Sequence, residues 1–242
     1  MPIPIRKPTL ADSMVTLRAL GVEFGSVLDV GVFNDTPALR STFPDLMHHL
    51  FEPVQAHFPS IERNYARVRH ILHPIAVSNV DGEAFLNTFS ITAGTGSTHS
   101  QVSDRAVDSA TVPTLVSSVR IQKRKLDTIT LGFNEKPYLL KVDVDGPDLQ
   151  VLQGADRTLQ SCAAVVIEAP LMQISERSTY LTDRGFRLVD IVDLSYYRGS
   201  MWQVDLVLLS AAILDSNERL RLLRSESQLD PAQWYTAGYE EQ

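Results

Sequence analysis

The chain has 242 residues, 44% of them hydrophobic and 21% charged, which is enough to bury a large core and too apolar for a disordered chain. Its formal charge of −7, from 22 basic against 29 acidic residues, argues against a nucleic-acid partner, since the only dense basic run is Arg120, Lys123, Arg124 and Lys125. The one cysteine, Cys162, excludes an intrachain disulfide framework and a cysteine-based zinc site, and suits a reducing compartment.

The opening residues MPIPIRKPTLADSM lack the apolar core of a signal peptide, and no later run approaches the roughly 18 apolar residues of a membrane span. A cytoplasmic protein with no membrane partner is the expectation. Apolar, β-branched runs then alternate with segments of helical spacing. Strands are predicted at SVLDVGVF (26–33), MHHLFEPV (47–54) and HILHPIAV (70–77), and again at YLLKVDVDG (138–146), AAVVIEAPL (163–171), RLVDIVDL (187–194) and QVDLVLLS (203–210). Helices are predicted over 55–65, 147–160 and 175–183; in the second, Leu149, Leu152 and Leu159 share a face. Such alternation implies a mostly parallel seven-stranded sheet with helices on both faces. Only SYYRGSMW separates the last two strands, which makes the final strand antiparallel. Residues 84–112 begin as a short strand and then lose periodicity among Gly, Ser and Thr, as in a functional lid or a loose insert. One domain is expected, with a core over about 22–210, an extension over 1–21, and a helix and aromatic tail over 211–242. Trp234, Tyr235 and Tyr239 in that tail point to packing on its own domain or on a twin subunit.

In an open parallel sheet, ligands bind beyond the carboxyl ends of the strands, where strand order reverses. The acidic residues gather there. The first strand delivers Asp29 and Gly31, and Thr36 with Pro37 makes an N-cap and first-turn pair for the next helix. Gly31 allows a ligand close to the backbone. Glu52 ends the second strand, where a carboxylate can accept two hydrogen bonds from a ribose diol; a solvated strand end is the alternative. Asp143 and Asp145 leave the fourth strand on one side and Glu168 closes the fifth. Two neighbouring carboxylates call for a cation, a shared proton or open water. A divalent metal is therefore an alternative, but a turn at Asp145–Gly146 and a first-turn acid at Asp148 explain these residues more simply, and no metal site is assigned. His48 and His49 point to opposite faces and are packing residues.

Taken together, SVLDVGVFNDT, LFEPVQAHFPSIERNYA, HPIAVSNVDGEAFL and above all LLKVDVDGPDLQVLQGADRTLQSCAAVVIEAPL resemble the FkbM family of S-adenosylmethionine-dependent methyltransferases. The likeness spans about residues 26–210. It implies the class I methyltransferase Rossmann-like fold, and as cofactor contacts Asp29, Gly31, Phe33, Thr36, Glu52, Val54, Ile75, Ala76 and Asp143. Here Gly31 and its loop would meet the methionine end, Glu52 the ribose, and Val54, Ile75 and Ala76 the adenine edge. It further implies methylation of a hydroxyl on a small-molecule acceptor, with Asp143 as the first choice of base and Glu168 and His99 next. Two positions depart from the family pattern. Asp35 stands where a second glycine is usual, and its charge would face the methionine carboxylate if the backbone kept the family course, so either the loop is rearranged or cofactor binding is weakened; Asp145 replaces a Glu. Asp35 and the aromatic tail motivate the rival reading, a non-catalytic binding or assembly module on the same fold.

Overall fold

A computed structural model describes residues 7–90, 99–108, 112, 114–144 and 146–223. The expectations placed on Asp145 and on the tail from residue 224 lie outside the described residues. Helix α1 (Leu10–Ala19) precedes β1 (Ser26–Val30), α2 (Pro37–Thr42) leads to β2 (Met47–Phe51), and α3 (Phe58–Asn64) leads to β3 (His70–His73). There follow β4 (Ala76–Val77), β5 (Gly82–Phe89), β6 (His99–Ser103), β7 (Leu115–Arg124) and α4 (Leu126–Ile129). The alternation resumes with β8 (Tyr138–Val142), α5 (Asp148–Gln153), α6 (Asp156–Leu159), β9 (Cys162–Pro170), α7 (Ile174–Thr182), β10 (Phe186–Tyr197), β11 (Ser200–Ser210) and α8 (Ala211–Ser216).

The main sheet runs β10-β11-β9-β8-β1-β2-β3. Its members from β9 to β3 are parallel, while β11 is antiparallel to both neighbours, as the short turn before it requires. All five residues of β1 and of β8 are buried, which is why these strands read as continuous apolar runs rather than as alternations. Leu28, Leu140 and Val165 face α5 and α7 through Val151, Leu152 and Leu181. Val27, Leu139 and Ala164 face the opposite layer, built from α1, α2 and α8. Because β1 pairs with β2 on one side and β8 on the other, the order of the chain reverses between β1 and β8. That reversal fixes the crevice at their carboxyl ends.

Four expectations are corrected. The segment read as an N-terminal extension carries α1, whose Leu10, Met14 and Leu17 lie in the core; the Thr9 hydroxyl caps it by accepting a hydrogen bond from the Asp12 amide at 3.2 Å. The third strand ends at His73, because Pro74 interrupts the ladder, and Ala76–Val77 pairs with β7 instead. The irregular middle is a second sheet of order β4-β7-β5-β6, whose strand β7 has no buried residue and so lacks a clean apolar pattern. The predicted helix over 147–160 is also divided, at Gly154, into α5 and α6. A Cβ at Gly154 would stand 2.0 Å from the Ser78 carbonyl oxygen, so a glycine is needed where the chain leaving β4 rests on this turn.

If α1 belongs to the cooperative core, Met14→Ala should lower the unfolding free energy by about 2 to 5 kcal/mol in urea titration. A loss within about 0.5 kcal/mol would show that α1 unfolds independently.

Candidate functional site

At the reversal point lies a cleft lined from β1 and its loop by Val30, Gly31 and Phe33, from β2 and its loop by Glu52, Val54 and His57, and from β8 by Asp143 and Val144. Ile75 and Ala76 continue the wall, and Leu86, Ser100 and Val102 close it from the second sheet.

The loop after β1 is fixed from both sides. The Gly31 amide donates to the Phe51 carbonyl at 3.0 Å, and its backbone stands at φ +86°. A Cβ there would come 1.7 Å from the Asp143 carbonyl oxygen, so the glycine is required by the approach of the chain leaving β8, rather than by a ligand. Phe33 follows at φ +54°, an uncommon conformation for a bulky residue, and its amide donates to Glu52 Oε2 at 2.9 Å. The other oxygen, Oε1, accepts from the Val54 amide at 2.8 Å. Glu52 is 4% exposed, so it is no solvated strand end. Its carboxylate is held by charge-assisted bonds to two backbone amides, and each oxygen retains room for one more donor. Beside it, His57 is 8% exposed, with Nδ1 at 3.6 Å from Glu52 Oε1 and its ring edge-on to Phe33 at 4.3 Å.

Behind the cleft is a buried charge cluster. Asp29 and Lys141 are register partners on β1 and β8 and therefore share a face, as do Glu168 and Asp205 on β9 and β11. Lys141 Nζ donates to Asp143 Oδ2 at 2.7 Å. Burial opposes the Lys141 charge, but Asp143, Asp29 and Asp205 outweigh it and push its pKa up. Asp29 is fully buried; burial pushes its pKa up against the pull of Lys141 and of the Thr36 hydroxyl. The chain beyond β8 is pinned by another buried pair. Asp148 Oδ1 accepts from the Val144 amide at 3.0 Å, and Oδ2 accepts from Arg177 at 2.7 Å. Arg177 also donates to the carbonyls of Glu168 and Gly146, so one guanidinium joins α7, the end of β9 and the loop below Asp143.

Of the expected site residues, the structure brings Gly31, Phe33, Glu52, Val54, Ile75, Ala76 and Asp143 together around one cleft. Asp29 lies beneath it. Thr36 makes no side-chain cap; its amide donates to the Tyr65 hydroxyl at 3.3 Å instead. Glu168 does not line the cleft and accepts a hydrogen bond from Gln203. His99 opens β6, and its side chain lies outside the described residues. Asp35 does not line the cleft: both its oxygens accept from Arg40, each at 2.8 Å. Among the described residues, no three His, Cys, Asp or Glu side chains converge as metal ligands, and no helix is long and apolar enough to cross a membrane. Sequence reasoning missed His57, Lys141, Arg177 and Asp205 as site residues. A lysine two residues before Asp143 in an otherwise apolar strand was the one signal that marked a buried ion pair.

The profile of the Methyltransferase FkbM domain matches residues 29–188. No curated protein sequence matches the chain. Solved structures with a similar fold include magnesium protoporphyrin IX methyltransferase from Synechocystis PCC 6803 with bound SAM, at 8% identity and a TM-score of 0.45 over 82% of this chain and 77% of that one. An rRNA methylase from Streptococcus thermophilus is similar at 9% identity and a TM-score of 0.45, over 86% and 98%. The ribosomal protein L11 methylase from Lactobacillus delbrueckii subsp. bulgaricus is similar at 9% identity and a TM-score of 0.43, over 83% and 76%.

The charge cluster generates a pH dependence. Burial pushes Asp205 up to about 6, with Lys141 pulling the other way. The folded chain therefore keeps this proton to higher pH than the unfolded chain, and stability through Asp205 falls as pH rises from about 4 to 6. Asp205→Asn should remove that fall, so that the variant gains roughly 2 to 3 kcal/mol on wild type between about pH 4 and pH 7 in urea unfolding. Parallel profiles for the two proteins would contradict it.

Proposed function

The chain belongs to the FkbM family of methyltransferases, and we propose that it uses S-adenosylmethionine to methylate a hydroxyl group of a small molecule, such as a sugar or another biosynthetic intermediate. The observation that carries this reading is Glu52, a buried carboxylate whose oxygens each keep one acceptor position at the edge of the cleft. That donor-seeking pair suits the vicinal hydroxyls of a ribose. The apolar wall of Val54, Ile75 and Ala76 suits the adjoining purine, and Gly31, Phe33 and Asp143 line the cleft with it. The residues present thus fit the cofactor.

When bound, this cofactor supplies an activated methyl group, so the protein mainly has to position an acceptor oxygen and receive its proton. Asp143 is assigned the second task because its carboxylate reaches the cleft while Lys141 holds one of its oxygens at 2.7 Å. Lys141 is thereby a positioning residue, orienting Asp143. Glu168 is less suited as base, since it does not line the cleft. The rival non-catalytic reading leaned on the aromatic tail, which lies outside the described residues, and on the charge of Asp35, which is paired with Arg40.

Two outcomes are expected. Glu52→Ala should weaken S-adenosylhomocysteine binding by about 1.5 to 3 kcal/mol in calorimetry, the scale of a charged hydrogen bond; unchanged affinity in a folded variant would remove Glu52 from the site. With a labelled methyl donor and a panel of polyol and sugar acceptors, Asp143→Asn should lower kcat by about 10²- to 10⁴-fold. A variant as fast as wild type would place the base elsewhere.

A further inference from the structure

We propose that the hairpin joining β10 to β11 is a platform for the acceptor, and that the acceptor is an oligosaccharide or glycoside whose remote ring stacks on Tyr197 and Trp202 while its reacting hydroxyl lies at Asp143. The inference rests on the reading of the cleft given above and extends it to the other half of the sheet. Strand β8 ends beside Asp143, and its neighbour β9 ends at Pro170. Strand β11 is antiparallel to β9, with Gln203 opposite Pro170, so it starts at this same end, where β10 finishes with Tyr197 opposite Ser200. Cleft and hairpin therefore share the carboxyl end of the parallel strands. In order across it stand Glu52, Gly31, Asp143, Glu168, Trp202 and Tyr197.

The far half of this end is apolar and open. Tyr196, Tyr197 and Trp202 are 64%, 58% and 59% exposed, and Leu171 and Met172, in the turn after β9, are exposed with them. Apolar side chains gathered in this way mark a binding surface, and this one continues from the cleft. Its shape is set before any ligand arrives. The hairpin turns on Arg198 at φ +50° and Gly199 at φ +82°, as in a type I′ turn, whose first central position usually takes Asn, Asp or Gly. Arg198 stands there instead, with its guanidinium 5.3 Å from the centre of the Tyr197 ring. Tyr197 in turn meets Trp202 edge-on, at 6.1 Å and 62°, so the two rings form an angled ledge.

Polar groups border the ledge on the side of Asp143, where Gln203 donates to Glu168. A sugar has a face of C–H groups and a rim of hydroxyls, and so matches rings flanked by hydrogen-bonding side chains; a wholly apolar acceptor would match the rings alone. Reach sets the size of the ligand. Glu168 follows Ile167, the partner of Val142, and is therefore level with Asp143, while Trp202 lies three residues beyond Asp205, the partner of Glu168. Two strand spacings across and three residues along place Trp202 about 14 Å from Asp143. One sugar ring does not bridge that distance, whereas a di- or trisaccharide does.

The test supplies the full chain with a labelled methyl donor and with mono-, di- and trisaccharides of glucose, galactose, mannose and rhamnose. Wild type should favour the longer acceptors of the sugar it uses. Trp202→Ala and Tyr197→Ala should each cut that preference, read as the ratio of kcat/KM for trisaccharide and monosaccharide, by about 3- to 10-fold and through KM, the scale of one lost aromatic contact. Trp202→Phe, which keeps a ring, should recover part of the loss. Equal use of short and long acceptors by wild type, or an unchanged ratio in both alanine variants, would overturn the platform while leaving methyl transfer to sugars in place. A ledge that instead covers a second copy or the chain's own tail would show as altered sedimentation or a lower unfolding temperature in the variants, with all acceptors affected alike, and that would overturn it too. Methylation of no sugar by a wild-type chain that binds S-adenosylhomocysteine would overturn both the platform and the sugar reading, and failure to bind S-adenosylhomocysteine would overturn the reading of the cleft itself.

Discussion

A single buried carboxylate organises the ligand-facing end of this molecule. Glu52 takes the amide of Phe33 on one oxygen and the amide of Val54 on the other, and so fastens the loops leaving β1 and β2 to each other. Burying a carboxylate is costly unless it is fully hydrogen-bonded, and backbone amides are donors that no mutation of side chains can remove. On the far side, the β1 loop lies so close to the carbonyl of Asp143 that only a glycine fits at position 31. The loop is held between its two neighbours because β1 lies between β8 and β2 in the sheet, and the reversal of strand order leaves the crevice open directly above it.

Beneath the cleft the chemistry is electrostatic. Lys141 is buried among Asp29, Asp143 and Asp205, and Arg177 is buried against Asp148. Breaking such pairs is expensive because it strands a charge in a medium that cannot solvate it. They act less as a source of stability than as a means of holding Asp143 and the loop after it in one arrangement. The excess of carboxylates over the one lysine also gives this end of the sheet a negative character, which suits a cationic ligand such as the proposed sulfonium cofactor. Asp35, at the head of the next helix, is paired with Arg40 of α2.

The inner strands of the main sheet were legible because burial on both faces writes them as unbroken apolar runs, as in β1 and β8. The antiparallel end was legible from the shortness of its connection. The second sheet was not: β7 reads LVSSVRIQKR and is half exposed along its length, so its pattern is that of a loop with occasional apolar residues. Helix α1 had left a usable signal, with Leu10, Met14 and Leu17 at helical spacing and Thr9 placed to cap Asp12. At the site, Glu52, Gly31 and Asp143 were found through their positions at strand ends. His57 was not, because a histidine in a turn carries no mark of burial until the neighbouring carboxylate is placed. The reason for Gly31 was also misread, since close approach by the protein's own backbone looks the same in sequence as close approach by a ligand.

The central claim is that this cleft binds the adenosine half of a methyl donor. Its most direct test is calorimetric titration of the purified chain with S-adenosylmethionine and with S-adenosylhomocysteine, which requires no knowledge of the acceptor. The account predicts one site for each, with Kd of order 1 μM, or about −8 kcal/mol. Absence of binding by both ligands at concentrations of about 1 mM, where even an interaction of only −4 kcal/mol is detectable, would contradict it.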